Sequence, residues 1–534
     1  MEHLLRKPVE SRRAYAQRRK TIVLGMILAL GLALAIAILM IGCGSGTNTT
    51  SSTTSSTPTA AATPLSASDV QNIVQAAAQA ADVTTMVIAV VDRGGSVLAV
   101  YRKPGAGTST TGNFAASVNV NDLAVALART AAYFSNDQAP LSSRTVRFIS
   151  GIHFPPGVAN ASNAALYGIE NTNRGCTLTA NYLPGQAIQP SLALAGGPGL
   201  GVITGKADLY DSDPNAVNPG GVPIFRDGVV VGGIGVAGVT GDVAEYVAFT
   251  AATSNGFGPT PAPPGVIFIN GIALPFVNQT TAPSGVNAGT FTGTFLVGPT
   301  ASSGQPPEGD LITPVAGPLG GLAASEVQQI LGNAEATANI TRALIRLPLG
   351  SSAKMVIAVA DLDGTIIGLR RMTDATLFSI DVAVTKARNM VYFNSGSRTA
   401  ADLNQVPMGT AVTNRTIGFG AQPLFPPGIN ASSAGPFFNL YVQDVANPCT
   451  QGFQDGPPNV NKSGVVFFPG SVGLYRNGAL VGGLGVSGDG VDQDDYVTNG
   501  GANGFQAPAQ IRADQILIDG VRLPYLKFPA VPTT

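Results

Sequence analysis

Two arginines open similar stretches of this chain, Arg144 in "SRTVRF" and Arg415 in "NRTIGF". Each stretch precedes an "FPPG" tetrapeptide, at Phe154 and Phe425. A guanidinium beside apolar and aromatic side chains suits a carboxylate, which it grips with parallel N–H donors. An ion pair within the domain, or a bond that anchors a turn, would use the same residues. The densest charge cluster is "DGVDQDDY", Asp489 to Tyr496. Calcium wants several oxygens converging from a loop, and Asp489, Asp492 and Asp495 can supply them, although the spacing is not that of an EF-hand. The related "VTGDVAEY" keeps only Asp242 and Glu245, aligned with Asp492 and Asp495. Acids so placed at a helix start fit capping and dipole complementation. Histidine occurs twice, at His3 and His153, so imidazole-based zinc or iron centres are nearly excluded by counting. His153 in "GIHFPP" is matched by "AQPLFPP", which has no histidine. It is either a loop residue packed beside Phe154 or a ligand used once. No G-x-S-x-G elbow and no repeated Cys–His pair points to nucleophilic catalysis. Acid–base chemistry by carboxylates alone stays open.

The stretch "GGIGVAG", Gly232 to Gly238, spells G-x-G-x-x-G from Gly233, and "GGLGVSG" repeats it at Gly482. A dinucleotide site needs these glycines between the first strand and first helix of a βαβ unit, with an acid about 20 residues later. Here the motif follows a hairpin turn late in its domain, and "GFGPTPAPPG" and "FQAPAQ" offer no such acid. The glycines are better read as room for another backbone or side chain to pack on the strand.

The elements that must position these residues occur twice. "MVIAVVDRGGSVLAVYR" at Met86 matches "MVIAVADLDGTIIGLRR" at Met355, "FRDGVVVGGIGVAG" at Phe225 matches "YRNGALVGGLGVSG" at Tyr475, and "INGIALP" at Ile269 matches "IDGVRLP" at Ile518. With the two hexapeptides and the two FPPG loops, all pairs fall in the same order, which is a domain duplication. The copies span roughly 65–276 and 320–526, with a Gly/Pro/Thr-rich linker at 277–319 and a short tail at 527–534. Each copy reads as a helix capped by Ser66 or Ser68 in the first copy, a hairpin, a second helix, a long Gly/Pro/Asn-rich region, a second hairpin turning at Arg226-Asp227-Gly228, a short helix and a last strand. Hairpins rather than crossovers predict an α+β fold, two small antiparallel sheets flanked by helices.

Charged residues make up only 11% of the 534 residues, apolar ones 45%, and the net charge is -1, so nucleic acid is not an expected partner. Residues 1–20 hold seven basic residues against two acidic ones. The uncharged run 21–42 that follows is about long enough to span a bilayer, and the positive segment places the N-terminus in the cytoplasm. Two readings stand: an uncleaved anchor, or a lipoprotein signal acylated at Cys43 of "MIGCGS". Both tether an extracytoplasmic body to a membrane through the Ser/Thr-rich segment 43–64. In that body Cys176 and Cys449 can pair, but one bridge is no framework for so long a chain.

Both hairpins, together with "TKARNMVYF" at Thr385, resemble the GlcG/HbpS family, often labelled haem-binding, and the resemblance covers both copies. It implies small antiparallel sheets flanked by helices, association into dimers or higher oligomers, and a small ligand such as haem or a related tetrapyrrole. Haem iron is held mainly by His, Cys, Met or Tyr. On this resemblance Arg144, His153, Phe154, Arg415 and Phe425 are the cofactor-binding candidates, and the protein binds rather than turns over its ligand. The alternative is a cell-envelope interaction module whose two copies form a pseudo-dimer within one chain. The inserts at about 137–215 and 395–464 exceed the compact family domain.

Overall fold

The computed structural model describes residues 62–172, 202–210, 219–259, 266–447, 452 and 463–534. The expected membrane segment 21–42, Cys43, Cys176 and Cys449 lie outside them. Among the described residues no helix is long and apolar enough to cross a membrane.

The first half opens with helix α1 (Ala67–Ala80). Ser66 caps it, its hydroxyl accepting from Asp69 N while the Asp69 carboxylate accepts from Ser66 N. That reciprocal box satisfies two orphan donors of the first turn. The apolar face Val70, Ile73, Val74 and Ala77 is fully buried, each larger side chain contributing roughly 1.5–3 kcal/mol. Strands β1 (Val87–Asp92) and β2 (Val97–Arg102) form the first hairpin, and a small pair, β3 (Ser109–Thr111) and β4 (Ser117–Asn119), leads into α2 (Val120–Phe134). Next come the six-residue helix α3 (Ser143–Phe148), the hairpin β5 (Gly221–Arg226) and β6 (Val229–Ala237), and α4 (Gly241–Ser254). The β5–β6 turn places Asp227 and Gly228 at φ 53° and 81°, the left-handed pair that a two-residue hairpin turn requires.

The segment "GVIFING", expected as a closing strand, does not join the main sheet. Its strand β7 (Phe268–Ile269) pairs only with β8 (Ile272–Ala273). The sheet is closed instead from the linker: β9 (Thr294–Val297) lies against β2, giving the order β5-β6-β1-β2-β9. The same linker supplies β10 (Gly309–Ile312) to the second sheet.

The second half repeats the plan with α5 (Ala324–Ile340), β11 (Met355–Ala360), β12 (Ile366–Arg371), α6 (Phe378–Asn394), the short helix α7 (Asn414–Gly420), α8 (Phe438–Ala446), β13 (Ser471–Arg476), β14 (Ala479–Gly488) and α9 (Val491–Gly501). A small hairpin, β15 (Leu517–Ile518) and β16 (Val521–Arg522), corresponds to β7–β8. Its sheet runs β10-β12-β11-β14-β13, all antiparallel.

Alternation along β1 sorts the first half into layers. Val87, Ala89 and Val91 join the cluster that contains α2, whereas Ile88 and Val90 join the one that contains α1 and α4. Residues two apart share a face of a strand, so helices cover both faces and the strand is buried throughout.

Residues 61–534 form one compact unit. Its halves meet at the ends of α2 and α6, where Phe134 stacks on Phe378 at 4.1 Å and Leu377 N donates to Tyr133 O. Tyr167 stacks on Tyr441 at 5.0 Å, and Asn160 and Asn430 exchange backbone-to-side-chain hydrogen bonds at 3.1 and 2.9 Å.

Candidate functional site

The glycine motifs settle into packing positions. A Cβ on Gly233 or Gly235 would overlap the carbonyl oxygens of Ala128 and Ala124 in α2, and Gly483 and Gly485 stand the same way against Ala387 and Ala383 in α6. With hydrogen as the side chain, β6 and β14 lie directly against their central helices, which fits the packing reading of the sequence.

The two arginines occupy one device built twice. In α3, Ser142 and Thr145 form a reciprocal cap, and Thr145 Oγ1 donates to Pro275 O at 2.6 Å. That fixes the first turn and aims Arg144 at Glu245 of α4, with Nε to Oε1 at 2.5 Å and Nη2 to Oε2 at 3.0 Å. In α7, Thr413 and Thr416 form the same cap, and Thr416 Oγ1 donates to Pro524 O at 2.7 Å. Arg415 reaches Asp495 through Nε at 2.5 Å and Asp492 through Nη2 at 2.6 Å. Burial opposes the charge on Arg415, but Asp495 and Asp492 together hold its pKa above the ordinary arginine value. Glu245 is therefore an ion-pair partner, not a cap as its position suggested. It also accepts from Asn278 N at 3.0 Å.

Beside each arginine lies a cleft. The first, about 620 Å³, is lined by Arg144, Arg147, Phe148, Pro156 and Asp242 among others. The second, about 700 Å³, is lined by the matching Arg415, Phe419, Pro427 and Asp492, and also by Phe154, Asn163 and Ile269 of the first half. Both volumes are in the range of small-molecule sites. Phe154 and Phe425 each pack edge-on against a neighbour, Phe148 at 5.8 Å and Phe419 at 5.6 Å. Of the five cofactor candidates, Arg415 and Phe154 share the second cleft and Arg144 lines the first. His153 lines neither, and its Nδ1 is 2.7 Å from Ala161 O within its own loop.

The calcium expectation on Asp489, Asp492 and Asp495 is corrected. Asp489 is fully buried, binds Arg346 and accepts from Lys354 N at 2.7 Å. Asp495 accepts from Arg415 Nε, Gly470 N and Lys527 N. Asp492 is paired with Arg415 and, at 2.9 Å, with Lys527 Nζ. The charges of these acids are met by arginine and lysine, and no group of three or more potential metal ligands occurs among the described residues. Two further pairs of arginines occupy matched places in the two copies and make contacts within their own half. Arg226 pairs with Asp69, Arg476 with Glu326, and Arg129 and Arg388 donate from Nε to the turn carbonyls of Gly95 and Gly364.

Three charged clusters, two of them fully buried, are not apparent within either repeat of the sequence. Lys386 of α6 donates to Val486 O at 2.7 Å and to Asp494 at 3.0 Å. Burial lowers the lysine pKa and pushes Asp494 up to about 7. The first copy has Leu127 and Ala244 at these places, so comparing the repeats position by position would have exposed the pair. Lys206 Nζ meets Glu170 at 2.6 Å and Tyr441 Oη at 3.3 Å, joining the halves. Asp137 donates its backbone N–H to Asp374, and burial together with the Asp374 charge pushes its carboxyl up to about 6.

Comparison with known proteins agrees with the duplication. The family model described as "Haem degrading protein HbpS-like" matches residues 65–253 and 333–503. No curated protein matches the chain. Similar solved structures include the Klebsiella pneumoniae protein ORFY, with 19% identity over 34% of this chain and 88% of that one, TM-score 0.22. A PduOC–haem complex is 22% identical over 34% and 94%, TM-score 0.22. A double mutant of Streptomyces reticuli HbpS is 20% identical over 40% and 98%, TM-score 0.18.

Proposed function

This chain belongs to the HbpS-like family in both of its halves, and we propose that it binds a small amphipathic ligand, haem or a related tetrapyrrole, without turning it over. The observation that carries this reading is the second cleft, a space of about 700 Å³ lined by aromatic and proline residues together with Arg415 and Lys527, which meet at Asp492. Such a site suits a flat apolar body bearing a carboxylate. Arg415 is the carboxylate-binding group of this reading, Phe154 is a wall, and His153 and Phe425 brace the loops, while Arg144, the counterpart of Arg415, has both Nε and Nη2 taken by Glu245.

The fit to haem is partial. Among the described residues, no His, Cys, Met or Tyr lines either cleft, and these are the side chains that hold haem iron. The lining suits the propionate edge and the ring, not the metal. Binding in this reading therefore does not depend on iron. The basic segment 1–20 and the apolar run 21–42, whether as an anchor or with an acylated Cys43, tether the body to the outer face of a membrane.

The test is an absorbance titration of the full chain with haemin. A Soret band that shifts and saturates is expected; an unchanged spectrum overturns the reading.

A further inference from the structure

The two clefts are built on the same plan but differ in what their arginine has left to offer. In the first half Glu245 is long enough to take both Nε and Nη2 of Arg144. In the second half the shorter Asp495 takes only Nε of Arg415, and Nη2 passes to Asp492. Asp495 is fully buried and held by two backbone N–H groups besides the arginine, so it is fixed. Asp492 is not fixed in this way. Its side chain is 24% exposed, and its partners are Arg415 Nη2 and Lys527 Nζ, the latter on a side chain 67% exposed. Two cations thus converge on one accessible carboxylate at the edge of a cleft.

That cleft is also the better furnished one. Phe154, Phe419, Phe467 and Phe528 line it, whereas Phe148 is the one aromatic among the described residues lining the first. Gln493 lines it as well. This residue is 6% exposed, its Nε2 donates to Arg342 O at 3.2 Å, and its Oε1 has no hydrogen-bond partner among the described residues. A buried amide oxygen left unpaired is costly, and this one lies against Gly490 at the cleft wall. The first copy has Val243 in its place and Asn278 where the second has Lys527.

We propose that the ligand's carboxylate lands in the second cleft and not the first, and that Asp492 is its stand-in, keeping Arg415 Nη2 and Lys527 Nζ paired until the ligand displaces it. The ligand class is a flat apolar molecule with at least one free carboxylate. This rests on the binding function proposed above and adds which half performs it and what the carboxylate must displace.

The experiment is a fluorescence titration of the full chain with protoporphyrin IX and with its dimethyl ester, whose carboxylates are blocked. Asp492→Asn frees both cations, so it should tighten protoporphyrin IX by about two- to fivefold, the scale of one half-exposed ion pair, and leave the ester unchanged. Lys527→Gln should weaken the acid and not the ester. The matched change in the first cleft, Asp242→Asn, should alter neither. Weaker or unaltered binding of the acid by Asp492→Asn, or a gain from Asp242→Asn instead, overturns the assignment while leaving the binding function standing. If the unaltered chain takes up neither protoporphyrin IX nor haemin, the binding function itself falls, and the assignment with it.

Discussion

At the scale of single residues, the second half carries charge where the first carries carbon. Lys386 and Asp494 replace Leu127 and Ala244 between the same helix and strand layers. Both are buried, and one carboxylate oxygen of Asp494 has no hydrogen-bond partner among the described residues. A buried ion pair often gives no more stability than apolar residues of similar volume, whereas removing one partner strands the other. Lys386→Leu alone should therefore destabilise the protein by about 3–5 kcal/mol. Adding Asp494→Ala, which restores the first copy's pair, should return most of that loss. Denaturant midpoints of the two single variants and the double variant would show it, and purely additive losses would refute it. Within one repeat this is not visible, because Lys386 sits in a helix whose pattern tolerates a solvent-facing lysine; only a position-by-position comparison of the two repeats shows the paired change. The pairing of Arg144 with Glu245 was hidden for a related reason: the partners are 101 positions apart, and an acid at a helix start has a local explanation that does not apply here.

At the scale of elements, local chemistry made much of the fold legible. Of the two caps the sequence allowed, Ser66 and Ser68, Ser66 holds the helix start, and Asp-Gly and Asn-Gly turns closed both hairpins at Gly228 and Gly478. The strands β9 and β10 were not legible. They are short, lie in a Thr- and Gly-rich stretch and have largely exposed residues, so no periodic apolar pattern announces them, and the neighbouring strands decide their pairing. The glycines test how close the layers stand. Gly235→Ala or Gly485→Ala would force β6 or β14 off its helix and should cost about 1–3 kcal/mol, the usual penalty of overpacking. Gly332→Ala should do the opposite. It lies inside α5 with nothing within 4 Å of an added Cβ, so the helix should gain about 0.5–1 kcal/mol. Thermal midpoints moving the same way for all three would contradict this packing account.

At the scale of the whole molecule, the halves are latched where the first reaches across to the second. Asp137 N lies 3.2 Å from both carboxylate oxygens of Asp374, which Arg346 holds at 2.6 Å, and Val230 N donates to Asp137 Oδ1 at 2.9 Å. Burial first, and then the charge of Asp374, raise the Asp137 carboxyl from 3.8 to about 6. A raised carboxyl contributes stability that is fully present below its unfolded value and lost as the pH rises through its folded one. The latch should therefore weaken between about pH 4 and 6. Asp137→Asn should then stabilise the chain by about 1 kcal/mol at pH 7.5, after discounting for partial exposure, and by much less at pH 4.5. An equal effect at both pH values would show that this group does not set the dependence. The duplication was legible from five ordered pairs of motifs. That the second cleft also uses Phe154 and Asn163 of the first half was not, because contacts between repeats leave no trace within either one.

The central claim is that a duplicated HbpS-like body holds one amphipathic carboxylate by its ring and its acid, without reading a metal. Titrating the full chain with haemin and, in parallel, with metal-free protoporphyrin IX tests it most directly. The account predicts that both saturate at one molecule per chain with affinities within a few-fold of each other. Binding of haemin alone, lost when His153 is replaced by alanine, or no saturable binding of either compound, would contradict it.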